Sequence, residues 1–324
     1  MTEPEQIFKA FKKVNVLIIG DVMTDRYLTG KVTRISPEAP VPIVESNREE
    51  ERPGGAANVA LNVRALSGNP ILCSVVGKDL RGEQFLGMLK ENGISNTGII
   101  QSKNRISTVK TRVIAGGQHL LRVDREQKDD LNSEDENDLF QRVFEVLNTQ
   151  KIDVILFQDY NKGVLTKSLI TKIISEAQKR NIQTVIDPKF KNFWAFSGCT
   201  LVKPNLKEIR DALKEDVLIT KESLNNACQI LQRKLGNQFS MITLSEHGIY
   251  IHDGEKGEII PTKPRKIADV CGAGDTVISV AALGFGAGLE LKQIAELANL
   301  AGGLVCEKVG VVFPDKNQLI EEMR

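Results

Sequence analysis

Five short apolar runs punctuate the chain, and each gives way to polar residues at its carboxyl end. They span 14–19 (followed by Gly20 and Asp21), 154–157 (Gln158, Asp159), 184–186 (Asp187, Pro188, Lys189), 200–202 (Lys203, Pro204, Asn205) and 241–244 (Ser245, Glu246). Unbroken apolar runs of this length suit strands covered on both faces. Between them, 56–66, 138–147, 169–179 and 224–235 read as amphipathic helices. Strands alternating with helices predict an α/β fold, a mostly parallel central sheet with helices on both faces. Ligands of such sheets bind beyond the carboxyl ends of the strands, where the polar endings would gather. That convergence predicts an enzyme site.

Two segments depart from the pattern. One, 27–45, holds Ser36-Pro37 and Pro40-Val-Pro42; the other, 108–125, reads as extended stretches at 109–114 and 120–125 around Ala115-Gly-Gly-Gln118. Alternation of apolar and polar residues there suits a hairpin with one wet face. We expect 25–46 and 107–125 to form a small β-sheet insertion, a lid or dimer contact, beside a main domain of 1–24, 47–106 and 126–324. The alternative is that they are edge strands of the main sheet. An insertion with an apolar face predicts a homodimer.

The chain's 324 residues are enough for a large core, and 41% hydrophobic with 26% charged residues is ordinary for a globular protein. Lys and Arg number 43 against 42 Asp and Glu, which leaves no electrostatic footprint for nucleic acid or an anionic membrane. A small anionic substrate needs only a local cluster of Arg. The five cysteines are scattered without a C-x-x-C pair, so a reducing cytoplasm fits best. Residues 1–13 carry acids and lack the apolar stretch of a secretion signal, and the longest apolar run, 276–289, is too short to span a bilayer.

The most informative stretch is Asp269-Val-Cys-Gly-Ala-Gly-Asp275, a glycine-rich turn opening into a helix expected over 276–286. Free amides at such a helix start bind phosphate oxygens, and glycine lets the backbone approach closely. Asp275 then projects into the same space, near enough to take a proton from an attacking hydroxyl. Plain helix capping is the alternative. In Asn205-Leu-Lys-Glu208, an amide and a carboxylate three residues apart share a helix face and suit a hydrated Mg²⁺ held through water. A capping box is the other reading. Lys189 is positioned to neutralise phosphate charge, or is an ordinary surface lysine.

These strings resemble the signatures of the ribokinase-type (PfkB) carbohydrate kinases. The resemblance implies a ribokinase-like fold, ATP as co-substrate, Mg²⁺, and room for a monovalent cation as a further cofactor. It makes Asp275 the catalytic base and Gly272, Ala273 and Gly274 the anion hole; Val270 and Cys271 depart from the family's D-T-x-G-A-G-D only in side chains. In Arg52-Pro-Gly-Gly-Ala-Ala-Asn58 it implies that Gly54, Gly55 and Asn58 contact sugar hydroxyls, and it assigns Asp21 and Asp25 to gripping them. A tight strand-to-helix connection is the alternative for the two glycines. Lys189, Asn205, Glu208, Ser245, Gly248 and Asn299 fall on the nucleotide side, Asn299 near the adenine.

Three strings, 20–27, 34–42 and 51–58, are similar more narrowly to the D-glycero-β-D-manno-heptose 7-phosphate kinases, which phosphorylate the anomeric hydroxyl on the way to ADP-heptose for bacterial lipopolysaccharide. The likeness runs from Val14 to about Gly310. The substrate's phosphate calls for cations, and the insertion supplies Arg34, Lys110, Arg112 and Arg122; guanidinium pairs with phosphate bidentately. The sequence does not distinguish among the four, of which one or two are expected to touch phosphate; Arg34 and Arg112 are taken as the candidates. In many such relatives a nucleotidylyltransferase domain follows. With the chain ending at Arg324, that activity is expected on another polypeptide.

Other classes lack their strings. There is no Walker A sequence, no protein-kinase catalytic loop and no G-x-G-x-x-G after the first strand, and His119, His247 and His252 form no metal or nucleophile constellation. A PfkB-type kinase for another sugar phosphate or nucleoside, or a non-catalytic sugar- or nucleotide-binding regulator on the same fold, remain as rival readings.

Overall fold

A computed structural model describes residues 3–324; residues 1 and 2 of the expected main domain lie outside the described residues. In chain order the strands are β1 (Asn15–Gly20), β2 (Val22–Ile35), β3 (Pro42–Gly55), β4 (Asn69–Gly77), β5 (Ile99–Ser102), β6 (Val109–Ala115), β7 (Gln118–Arg125), β8 (Val154–Gln158), β9 (Gln183–Asp187), β10 (Leu201–Val202), β11 (Phe239–Thr243), β12 (Ile249–His252) and β13 (Gly257–Ile260). The helices are α1 (Pro4–Phe11), α2 (Ala56–Ala65), α3 (Leu80–Glu91), α4 (Ser133–Thr149), α5 (Lys167–Lys179), α6 (Leu206–Leu213), α7 (Lys221–Leu235), α8 (Ala273–Gly286), α9 (Leu291–Cys306) and α10 (Lys316–Met323).

The main sheet runs β13-β12-β11-β10-β9-β8-β1-β4-β5. It is parallel throughout except for β12, which lies antiparallel to β11 and β13. Central strand β1 explains why an apolar run here is continuous. Val16 and Ile18 pack into a core shared with α1, α2, α8 and α9, whereas Leu17 and Ile19 pack into a second core with α4, α5 and α7. All four side chains are wholly buried, each worth about 1.5–3 kcal/mol relative to exposure. From β1 the main sheet continues to β4 on one side and to β8 on the other. That reversal of strand order opens a crevice at the carboxyl ends of β1 and β8, where Asp21 and Gln158 sit.

The second sheet, β3-β2-β6-β7, is separate from the first rather than its edge. It takes in 22–24 and 47–55, which the sequence assigned to the main domain. The reason is the β2–β3 ladder, which stays paired from Ile35↔Pro42 to Val22↔Gly55. The charged run 45–52 lacks the alternation that marks a strand, so its pairing is invisible locally. Among the described residues no helix is long and apolar enough to cross a membrane.

Candidate active site

Helix α8 is hydrophobic all round because it is enclosed all round: every residue from Asp275 to Phe285 is buried. It starts at Ala273, three residues earlier than the apolar run suggested, with Gly272 capping it in the left-handed conformation (φ 81°). Asp275 therefore lies inside the first turn. The amides of Gly272, Gly274 and Asp275 have no backbone partner, whereas that of Ala273 donates to Val270 O at 3.3 Å. The free donors of the expected 272–274 hole are thus 272, 274 and 275, because the turn preceding the helix already uses Ala273.

The Asp275 carboxylate is 7% exposed. Asn58 Nδ2 donates to its Oδ2 at 2.6 Å, and Tyr160 Oη donates to Oδ1 at 2.7 Å. Gln158 Nε2 reaches the same Oδ1 at 3.3 Å. Burial pushes its pKa up to about 6; the Tyr160 and Asn58 hydrogen bonds pull it back, Asp187 adds repulsion and Lys203 attraction. Lys203, 3% exposed, pairs with Asp187 Oδ2 at 3.2 Å. Its ammonium lies 3.8 Å from where a side chain on Gly274 would begin. Neither Tyr160 nor Lys203 stood out in the sequence. The signal available was their position just past apolar runs.

Asp21 is committed to the protein rather than open to a sugar. It is wholly buried, and its two oxygens accept the amides of Tyr160 (2.8 Å), Lys162 (3.1 Å) and Val164 (3.0 Å). Burial raises its pKa against those bonds. Gly54 and Gly55 are also accounted for by protein neighbours. A Cβ on Gly54 would stand 2.2 Å from Asp25 Oδ2, and one on Gly55 (φ 63°) 2.3 Å from Asp21 O. Asn58 is 3% exposed, and its amide donor is engaged by Asp275 rather than free for a sugar, while its Oδ1 has no partner.

Asp25 sits on the small sheet's inner face with Tyr27, Lys110 and Arg112, its register neighbours. Arg112 pairs with Asp25 and lies 5.3 Å from the Tyr27 ring centre, and Arg52 donates to Val311 O at 2.7 Å, tying this face to the main domain. Lys110 is held by Asp124 and Glu126, and Arg122 by Asp124. Arg34 does not join them. Nine residues beyond Asp25 on the same strand, it stands about 30 Å away at roughly 3.3 Å per residue, exposed and without an ion pair among the described residues. Motif proximity in sequence does not bring the two together because β2 runs on for 14 residues, with two irregularities in its pairing with β3.

On the nucleotide side, Asn205 and Glu208 form a capping box at the start of α6. Glu208 Oε2 accepts the Asn205 amide at 2.9 Å and Oε1 pairs with Lys189. Lys189 also stands 3.8 Å from Asp187 Oδ1. Burial disfavours its charge, yet Asp187 and Glu208 outweigh that and raise its pKa, so it stays an ammonium. Ser245 is exposed in a left-handed conformation (φ 54°). Gly248 lines a turn rather than an open surface: its amide donates to Ser245 O, its carbonyl accepts from Leu244, and a Cβ would meet Ile260 O at 2.0 Å. Asn299 likewise uses its amide on the protein, with Thr262 Oγ1 and the carbonyls of Ile260 and Pro261. Beside it opens a cavity of about 440 Å³, lined by Ile260, Pro261, Thr262, Leu297 and Leu300. Among the described residues no three His, Cys, Asp or Glu side chains gather as a metal cage.

The pfkB family carbohydrate kinase pattern matches residues 13–318. The bifunctional protein HldE of Helicobacter pylori strain J99 is 42% identical over 297 residues, covering 91% of this chain and 63% of that protein. The bifunctional protein HldE of Geotalea uraniireducens is 37% identical over 323 residues, covering 99% and 65%. The chain thus spans slightly under two thirds of the length of these curated relatives. Among solved structures, phosphofructokinase-2 from Escherichia coli in complex with potassium superposes with a TM-score of 0.80 at 19% identity, covering 96% of this chain and 99% of that one. Arabidopsis thaliana ribokinase complexed with ribose and ATP gives 0.74 at 15%, covering 96% and 99%. At such identities these two speak for the ribokinase-like fold alone. With the family pattern covering nearly the whole chain and relatives at about 40% identity, the chain belongs to the pfkB family of carbohydrate kinases.

Proposed function

We propose that the chain transfers the γ-phosphate of ATP to the anomeric hydroxyl of D-glycero-β-D-manno-heptose 7-phosphate, giving the 1,7-bisphosphate. One observation carries the reaction class: a buried carboxylate, Asp275, hydrogen-bonded by Asn58 and Tyr160 in the first turn of a helix whose leading amides are free. The substrate rests on the strings at 20–27, 34–42 and 51–58 and on the similarity to the HldE proteins.

Asp275 orients the sugar hydroxyl and accepts its proton as the oxygen attacks the γ-phosphorus in line with the departing ADP. Charge gathering on the transferred group meets the amides of 272, 274 and 275, with the ammonium of Lys203 close to Gly274 and Lys189 nearby. Mg²⁺ fits this basin through water, since Asp187 Oδ1 is a buried acceptor without a hydrogen-bond partner and Glu208 has both oxygens already engaged. When bound with ATP it neutralises phosphate charge. The adenine goes to the cavity beside Asn299, whose side chain braces the 260–262 segment. On the sugar side Asp25 meets hydroxyls, and Arg112 with Lys110 faces the 7-phosphate; Arg34 has no part in it within one protomer. The small sheet closes over the site. Its outer face exposes Leu121 and Val123, which supports a homodimer through that sheet. No protein residue in this scheme calls for a monovalent cation.

A panel of heptose 7-phosphate, fructose 6-phosphate and nucleosides with MgATP, read by ADP release, tests the reading. Heptose 7-phosphate should lead in kcat/KM by at least about 100-fold; equal turnover of fructose 6-phosphate, or no ADP from any sugar, sinks it. The pH profile gives a second check. A base with a pKa of about 6 must be ionised in the free enzyme, so kcat/KM should fall about tenfold per pH unit below pH 6 and level off above it. A flat profile down to pH 4.5 contradicts the assignment.

A further inference from the structure

We propose that Tyr160 is the positioning residue of Asp275, its hydroxyl holding the carboxylate ionised and in one orientation; this rests on Asp275 being the base of the reaction above. The geometry is specific. Tyr160 Oη to Asp275 Oδ1 is 2.7 Å, shorter than the 3.3 Å from Gln158 Nε2, whose amide also serves Asp187 at 3.2 Å. Asn58 holds the other oxygen, so the carboxylate is gripped from two sides, by residues on α2 and past β8.

The loop that delivers Tyr160 is itself fixed. Asp21 takes the amides of 160, 162 and 164, and Asp159 Oδ1 takes that of Asn161 at 2.7 Å, with Asn161 in the left-handed region (φ 54°). Lys189 Nζ lies over the Tyr160 ring, 5.8 Å from its centre. A phenol on so constrained a loop has little freedom to lose on binding the carboxylate. Burial and the neighbouring Asp275 push the phenol's own pKa up, so it remains a donor at working pH. The charged groups facing the pair are Asp187, Lys203, Lys189 and Asp25. Burial and Asp187 favour the protonated acid, which would be useless as a base. A donor to the charged form works the other way.

The test is a ¹³C-carboxyl titration of Asp275, assigned with Asp275→Asn, in wild type and Tyr160→Phe. Loss of a hydrogen bond to a charged group should move the midpoint up by about one to two pH units, and the acid limb of kcat/KM should move with it while KM for ATP stays within about twofold. Site-specific 3-fluorotyrosine at 160 keeps the fold and makes a stronger donor, so it should move the midpoint down. If both midpoints stay at the wild-type value, Tyr160 only fills space and the inference fails. Because the titration needs no substrate, absence of phosphoryl transfer in wild type would overturn the kinase reading and leave the Tyr160 result readable by itself.

Discussion

Asp275→Asn should lower kcat by about 10²–10⁴-fold while leaving ATP affinity within about threefold. The amide keeps the size of the carboxylate and can still accept from Tyr160 through its oxygen, and Asn58 can turn its unpartnered Oδ1 to accept from the new Nδ2, so the fold around the first turn of α8 has little reason to change. What disappears is the capacity to take a proton from the attacking hydroxyl. The leading amides and Lys203 remain, so nucleotide should still bind and a residual rate should survive on positioning alone. Initial rates with saturating ATP and sugar phosphate, alongside calorimetric titration with a nucleotide analogue, separate the two quantities. Turnover within tenfold of wild type would mean that another group receives the proton.

Asp21→Ala is expected to be the most damaging change away from the reacting atoms. One wholly buried carboxylate satisfies three backbone amides, at 160, 162 and 164. Each amide left without a partner costs about 1–3 kcal/mol. Partial hydration of the freed loop offsets some of this, so a loss of at least about 3 kcal/mol in unfolding free energy is the expected result in urea denaturation. Turnover should fall as well, since the same loop delivers Tyr160 to Asp275. A loss under about 1 kcal/mol would show that the loop holds itself without Asp21. The reading of Asp21 as a sugar ligand predicts the opposite pattern, a raised sugar KM with stability unchanged.

Much of the architecture was legible because its causes are local. Apolar runs with polar endings marked β1, β8, β9, β10 and β11, and the alternation at 109–125 marked β6 and β7. Strand β4, opening with Asn69-Pro70, and the antiparallel β12 and β13 were missed; they are short or begin without an apolar run, and their pairing depends on partners elsewhere. The glycine-rich turn singled out Asp275 as the candidate base from a seven-residue string, and the structure places that carboxylate buried in the first turn of α8.

The sequence by itself determined the fold class, the family and the glycine-rich turn that opens α8, since periodicity and backbone freedom act over a few residues. Only the tertiary structure decided what surrounds that carboxylate. Its partners come from 217 and 115 positions away, and no local pattern records a contact across such distances. The same physics changed the reading of Asp21, a carboxylate that looked free and is buried beneath a loop, and of Arg34, adjacent in motif but nine residues beyond Asp25 along one strand.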